Sequence, residues 1–235
     1  MQDSVKVSGV SSMATRLLLA DMTKTFSSLT AIDVSFTSVG GVDAVKRMQA
    51  GEKFDVVVLA RDAIATLEAS GLVLAGSCED WVHSSVAIAM REAAKHVAID
   101  SEAALREAVL AHKVGYSTGP SGTALLQLFE RWGIQEEMRE RLVQAPAGVS
   151  VATLVADGRA DIGIQQLSEL TNVADVRVLG LMPRGCEIVS TFSAAIGAAT
   201  TRQSEVREFQ AFMHSTDAAE IVKRHGMSLV EQQKH

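Results

Sequence analysis

Three times the chain passes from a short apolar strand, through a loop of small hydroxyl residues and glycines, into an amphipathic helix. The stretches are Val5-Lys-Val-Ser-Gly-Val-Ser-Ser-Met-Ala14, Val34-Ser-Phe-Thr-Ser-Val-Gly-Gly-Val-Asp43 and Lys113-Val-Gly-Tyr-Ser-Thr-Gly-Pro-Ser-Gly-Thr-Ala-Leu-Leu-Gln-Leu-Phe129. A helix that starts in this way leaves backbone N–H groups unpaired at the positive end of its dipole, which suits an anion. In any one loop a hydroxyl such as Ser121 or Thr123 can equally serve as a plain helix cap. Three such loops in one chain favour the reading in which helix starts gather around a single negatively charged ligand.

Around these loops strands and helices alternate. Strands are expected at 5–8, 32–36 and 54–59, and helices at 13–27, 42–50 and 63–70, with Arg61 and Asp62 directly after the third strand. This βαβαβα pattern predicts an α/β protein with a mainly parallel sheet, helices on both faces, and ligands at the carboxyl ends of the strands. A strand at 81–90, a helix at 100–110, a strand at 114–116 and a helix at 123–132 follow. Next come a charged helix at 135–142, a helix at 149–156, a strand at 161–166 and a short helix from 167. Strands at 176–179 and 187–195 and helices at 204–214 and 216–225 complete the chain.

The bulk numbers narrow the function. With 235 residues, 47% hydrophobic and 21% charged, the chain has the make-up of a soluble globular protein of one large domain or two small ones. A net charge of −6 argues against a nucleic-acid surface, so an anion must be held by local N–H groups and a few placed cations. Aromatics, at 4%, are too scarce for stacking sites. Cys78 and Cys186 form no Cys-x-x-Cys pair, and no metal site or cofactor is expected. There is no Gly-x-Ser-x-Gly elbow for a serine nucleophile. Only residues 1–4 precede the first strand. The expected location is the periplasm if a leader has been removed, and the cytoplasm if its absence is genuine.

Three further stretches join the opening segment and the Gly115-Tyr-Ser-Thr-Gly-Pro-Ser-Gly122 loop in a recognisable order. They are Gln49-Ala-Gly-Glu-Lys-Phe-Asp-Val-Val-Val-Leu59, Leu154-Val-Ala-Asp-Gly-Arg-Ala-Asp-Ile-Gly-Ile-Gln-Gln-Leu-Ser-Glu-Leu170 and Phe192-Ser-Ala-Ala-Ile196. The set resembles the periplasmic molybdate-binding proteins and their relatives, the solute-binding subunits of ABC importers, over nearly the whole chain. The resemblance implies a type 2 periplasmic binding protein fold, with two α/β lobes joined by two crossover strands and the ligand in the cleft. Lobe I would be 1–82 plus 191–235 and lobe II 83–190, with crossovers near 82–87 and 189–194. It also implies a monomer, a small anionic ligand, and the membrane subunits of an ABC transporter as partner. Cys78 and Cys186 would each precede a crossover, and a disulfide beside the hinge would suit an exported protein.

The same resemblance nominates the site. Lobe I would offer Ser8, Ser11, Ser12 and the 37–41 loop, where Ser38 has the strongest claim and Gly40 lets the backbone approach a ligand. Lobe II would offer Ser117, Ser121, Gly122 and Thr123, the N–H groups of Val149 and Ser150, and Gln165 and Gln166. One of the two glutamines stands where molybdate binders carry a tyrosine, and an amide both donates and accepts where a phenol offers one hydroxyl. Arg61 is either a fork for a carboxylate or a solvated partner of Asp62. Together these departures favour an organic di- or tricarboxylate over a tetrahedral oxyanion such as molybdate. Some relatives resemble aconitate isomerases, which shift a proton within a bound tricarboxylate. In that alternative His83 and Glu169 are the candidate bases, and Arg61 and Arg184 hold carboxylates. His83 is equally read as an ordinary strand residue and Glu169 as a solvated helix-start carboxylate.

Overall fold

The computed structural model describes residues 4–146 and 148–231. The chain divides into two compact units, Met1–His83 with Thr191–His235, and Ser84–Ser190. The first unit opens with β1 (Val5–Ser12), α1 (Arg16–Leu29), β2 (Ile32–Val39), α2 (Gly41–Gln49), β3 (Val56–Ala60) and α3 (Arg61–Ala69). β1 runs parallel to both β2 and β3. Val56 to Leu59 are buried without alternation, as a strand covered on both faces requires. β4 (Glu79–Arg91) begins in this unit and ends in the second, and β9 (Val189–Ile196) makes the return passage.

The second unit contains α4 (Glu102–Ala111), β5 (Val114–Tyr116), α5 (Pro120–Arg131), α6 (Gln135–Met138) and β6 (Leu142–Gln144). α7 (Val151–Ala156), β7 (Ile162–Gln166), α8 (Leu167–Leu170) and β8 (Val176–Leu181) complete it. After β9 the first unit is finished by α9 (Gln203–Met213), α10 (Thr216–Arg224) and β10 (Met227–Leu229).

In the first unit β9 lies antiparallel to β3, with Val58 opposite Ala194 and Leu59 opposite Ser193. Leu18, Met22 and Phe26 of α1 pack with Phe192, Phe209 and Met213 on one face of this sheet. Phe26 meets Phe209 edge-on at 5.2 Å. Met48, Ile64 and Leu67 of α2 and α3 cover Val10, Val57 and Leu59 on the other face. In the second unit β7 pairs parallel to β5 and antiparallel to β4, and β6 extends β5. Leu105, Leu125, Phe129 and Met138 bury Ile162 and Ile164, while Val151 and Val155 of α7 lie over Gly163 on the opposite face. A Cβ at Gly163 would stand 2.7 Å from Val155, so only glycine lets α7 approach so closely.

Several boundaries differ from those expected. β1 and β2 do not stop at Ser8 and Phe36, because their parallel register continues through Ser11 opposite Ser38 and Ser12 opposite Val39. The serines read as loop residues are therefore strand residues. α5 starts at Pro120, whose fixed φ suits the first helical position, so Ser121, Gly122 and Thr123 lie inside its first turn. The charged helix expected over 135–142 ends at Met138, and Leu142 begins a strand. The cysteines are both free. Cys78 packs against the α2–α3 side of the first unit's core, and Cys186 is buried in the core of the second.

Candidate functional site

In the first unit the carboxyl ends of three parallel strands deliver the candidate residues to one edge of the sheet. Ser11 is fully buried, and its Oγ lies 2.8 Å from that of Ser38 on the neighbouring strand. In such a couple one hydroxyl donates to the other, and the acceptor keeps its own O–H for a third group. Two helices begin beside this couple without side-chain caps. α2 starts after Gly40 and α3 after Ala60, and neither N-cap residue supplies an acceptor. Their first-turn N–H groups have no acceptor within the helix. Asp43 and Asp62 each place a carboxylate in those first turns. The φ of −58° at Gly40 is open to any residue, and a Cβ there would lie 3.3 Å from the Asp43 carboxylate. Gly40 is thus required neither by backbone conformation nor by a hard clash.

Other nominees of this unit have local tasks. Ser8 sits mid-strand, and its N–H and hydroxyl both donate to Asp55 Oδ2 at 2.8 Å, which removes it from the donors at the strand end. Ser12 accepts from the Ala14 N–H and so caps the 3₁₀ turn ahead of α1. Arg61 does not pair with Asp62: its Nη1 donates to Asp80 Oδ1 at 2.8 Å and approaches Cys78 Sγ at 3.4 Å. Burial pushes the Cys78 thiol up, and the nearby Arg61 charge only partly offsets this. His83 places Nδ1 3.1 Å from Thr191 Oγ1, which orients its ring.

The second unit repeats the serine couple. Ser117 Oγ and Ser121 Oγ are 3.0 Å apart where β5 meets α5, and Ser121 is fully buried. The Gly119 N–H donates to Ser117 Oγ. Gly122 and Thr123 spend their N–H groups on Gly119 O, at 3.0 and 3.1 Å, so neither is the free backbone donor that was expected. A Cβ on Gly122 would fall 1.8 Å from the Ser117 carbonyl oxygen, which makes this glycine a packing requirement. Val149 is corrected likewise, since its N–H donates to Pro146 O.

Two N–H groups at the start of α7 have partners. Ser150 Oγ accepts from the Thr153 N–H, and Gln165 Oε1 accepts from the Val151 N–H at 2.9 Å. Successive β7 residues point to opposite faces. Gln165 therefore goes to the α7 side, while Gln166 turns the other way and donates Nε2–H to Ser190 Oγ at 3.0 Å. Both glutamines are almost wholly buried with their amides oriented by these partners. Glu169 lies in the first turn of α8. Among the described residues no group of His, Cys, Asp and Glu could hold a metal ion. Asp80, Ser193 and Thr191 are the site-edge residues that sequence reasoning missed. Their signal was faint: an acidic residue at the start of β4 and single hydroxyls in the apolar run of β9.

Two α/β units, one with a serine hydroxyl couple at the ends of two parallel strands and the other with one where a strand meets a helix, belong to a known class: this is the α/β fold of the periplasmic solute-binding proteins. It is shared by the periplasmic molybdate-binding protein of Azotobacter vinelandii, at 20% identity, with a TM-score of 0.77 over 97% of this chain and 100% of that one. A sulfate-binding protein from Mycobacterium tuberculosis matches at 13% identity, with a TM-score of 0.77 over 97% of this chain and 88% of the other. Residues 7–228 match the family model for bacterial extracellular solute-binding proteins, and the chain belongs to that family. An aconitate isomerase from a Pseudomonas species is 31% identical over 189 residues, covering 80% of this chain and 72% of that protein.

Proposed function

We propose that the protein is a periplasmic solute receptor that captures a small organic acid, a di- or tricarboxylate, for an ABC importer. The observation that carries the anionic reading is the Ser11–Ser38 couple beside two helix starts without side-chain caps. Hydroxyl and N–H donors of this kind hold a negative charge without a metal. The organic-acid part is supported by likeness to an enzyme named for a tricarboxylate. A thermal-shift panel tests it, with molybdate, tungstate, sulfate, phosphate, citrate, smaller dicarboxylates and both aconitate isomers. A ligand at a hundred times its dissociation constant adds about 2.7 kcal/mol, which raises the melting temperature of a chain this size by roughly 5–10 °C. A tricarboxylate is expected to give that shift. If only molybdate and tungstate do, the organic-acid reading is wrong and the chain is an oxyanion receptor.

The 31% identity to an aconitate isomerase favours a second reading, a proton shift within the bound acid. Such a reaction needs a group that takes a proton from one carbon and returns it to another. His83, its ring oriented by Thr191, is the better placed candidate, and Glu169 the other. The bound aconitate isomer decides between the readings when it is incubated with the protein and followed by proton NMR. Appearance of the other isomer makes the chain an isomerase, and an unchanged spectrum leaves it a receptor.

A further inference from the structure

Arg61 is held in an unusual way for an arginine beside a carboxylate. Left to itself such a pair settles fork to fork, with two parallel N–H···O bonds. Here the contact is single. Nη1 alone reaches Asp80 Oδ1, at 2.8 Å, and also approaches Cys78 Sγ at 3.4 Å. Asp80 Oδ1 is claimed at the same time by the hydroxyl of Ser193, at 2.7 Å, and Ser193 is fully buried on β9. A buried hydroxyl thus anchors the carboxylate, and the carboxylate anchors one nitrogen of the guanidinium. Nε and Nη2 form the opposite edge of the planar fork and have no partner among the described residues, on a side chain that is 51% exposed. This edge lies at the first residue of α3, whose start has no side-chain cap, and at the carboxyl end of β3.

We propose that the Nε/Nη2 edge of Arg61 receives a carboxylate of the organic acid, with Asp80 and Ser193 as positioning residues that fix the plane of the guanidinium. The assignment rests on the reading of the chain as an organic-acid receptor. A lysine in place of Arg61 keeps the charge and loses the fork, so the fork itself is what the substitution tests.

The test is titration calorimetry of the full chain with citrate, cis-aconitate, trans-aconitate and molybdate. Arg61→Lys is expected to weaken the tightest tricarboxylate by about ten- to a hundredfold, the scale of a charged hydrogen-bond pair. Asp80→Asn and Ser193→Ala are expected to weaken it less. The double variant Arg61→Lys/Asp80→Asn is expected to bind no more weakly than Arg61→Lys alone, because Asp80 acts through the arginine. A merely structural salt bridge would lower the melting temperature and leave affinity unchanged. Tricarboxylate binding by the wild type that survives Arg61→Lys overturns the assignment and leaves the organic-acid reading standing. Equal losses from Asp80→Asn in the wild-type and Arg61→Lys backgrounds overturn the positioning role. A wild type that binds molybdate and no tricarboxylate removes the organic-acid reading and the assignment with it.

Discussion

At the scale of single residues, Asp55 illustrates how polar groups outside the site are committed to the fold. It gathers the Ser8 N–H and hydroxyl at 2.8 Å each and the Thr200 hydroxyl at 2.5 Å, and so ties the β1–β3 pair to the loop before α9. Burial alone would raise its carboxyl, but the hydrogen bonds from Thr200 and Ser8 outweigh it, with help from Arg202, and hold the group below its ordinary value. A depressed folded-state value means that the stabilisation is complete above the unfolded value, near pH 4, and is lost as pH falls through the lower folded value. Asp55→Asn is expected to cost roughly 1–3 kcal/mol at pH 7, with the difference from wild type shrinking below about pH 4. Urea melts at pH 7, 5 and 3.5 check this, and a deficit that stays constant across them would refute the linkage. Pairings of this range were illegible in the sequence. Ser8 was read as a ligand donor, and Arg61 as either a fork for a carboxylate or a partner of Asp62, because near neighbours are all a sequence displays. The true partners, Asp55 and Asp80, are brought close only by strand register.

At the scale of elements, the alternation of strands and helices was readable because the long elements bury whole stripes of apolar residues. Val56 to Leu59 and the face of α1 that carries Leu18, Met22 and Phe26 leave little choice. The elements that escaped, β6 and β10, are three residues each, too short for a period to declare itself. The start of α5 was placed three residues late because Ser121 was read as a possible cap, when Pro120 already occupies the first helical position. The donors of this loop are arranged otherwise than a helix start at Thr123 implies. Its hydroxyls are paired as Ser117 and Ser121, while the Gly122 N–H is spent and its missing Cβ is what the packing needs. Gly122→Ala is therefore expected to destabilise by about 2 kcal/mol or more, since the Ser117 carbonyl must give way. A thermal or urea melt of the variant measures it. Wild-type stability in Gly122→Ala would mean that the helix start yields without cost.

At the scale of the whole molecule, the two units are built differently from the chain, and this sets what each can do alone. The second is a continuous stretch, Ser84–Ser190, with apolar clusters of its own on both faces of β7. The first is assembled from two segments. Its largest cluster takes Leu18, Met22, Phe26, Val56, Val58 and Trp81 from the amino-terminal segment, and Phe192, Ala194, Val206, Phe209 and Met213 from the carboxyl-terminal one. Gln210 adds a polar tie, donating to Ser77 O and Ala194 O, and Trp81 donates its ring N–H to Met213 O. Residues 1–83 alone would expose the inner faces of β3 and α1, an apolar loss that a domain of this size cannot absorb. The fragment 84–190 is accordingly expected to unfold cooperatively by circular dichroism and to give a dispersed amide spectrum, while 1–83 is expected to do neither. Joining 1–83 directly to 191–235 through a short flexible linker should restore a cooperative melt to the first unit, because both halves of its core are then present. A non-cooperative melt of the 84–190 fragment would show that its sheet depends on the segments of β4 and β9 that belong to the first unit.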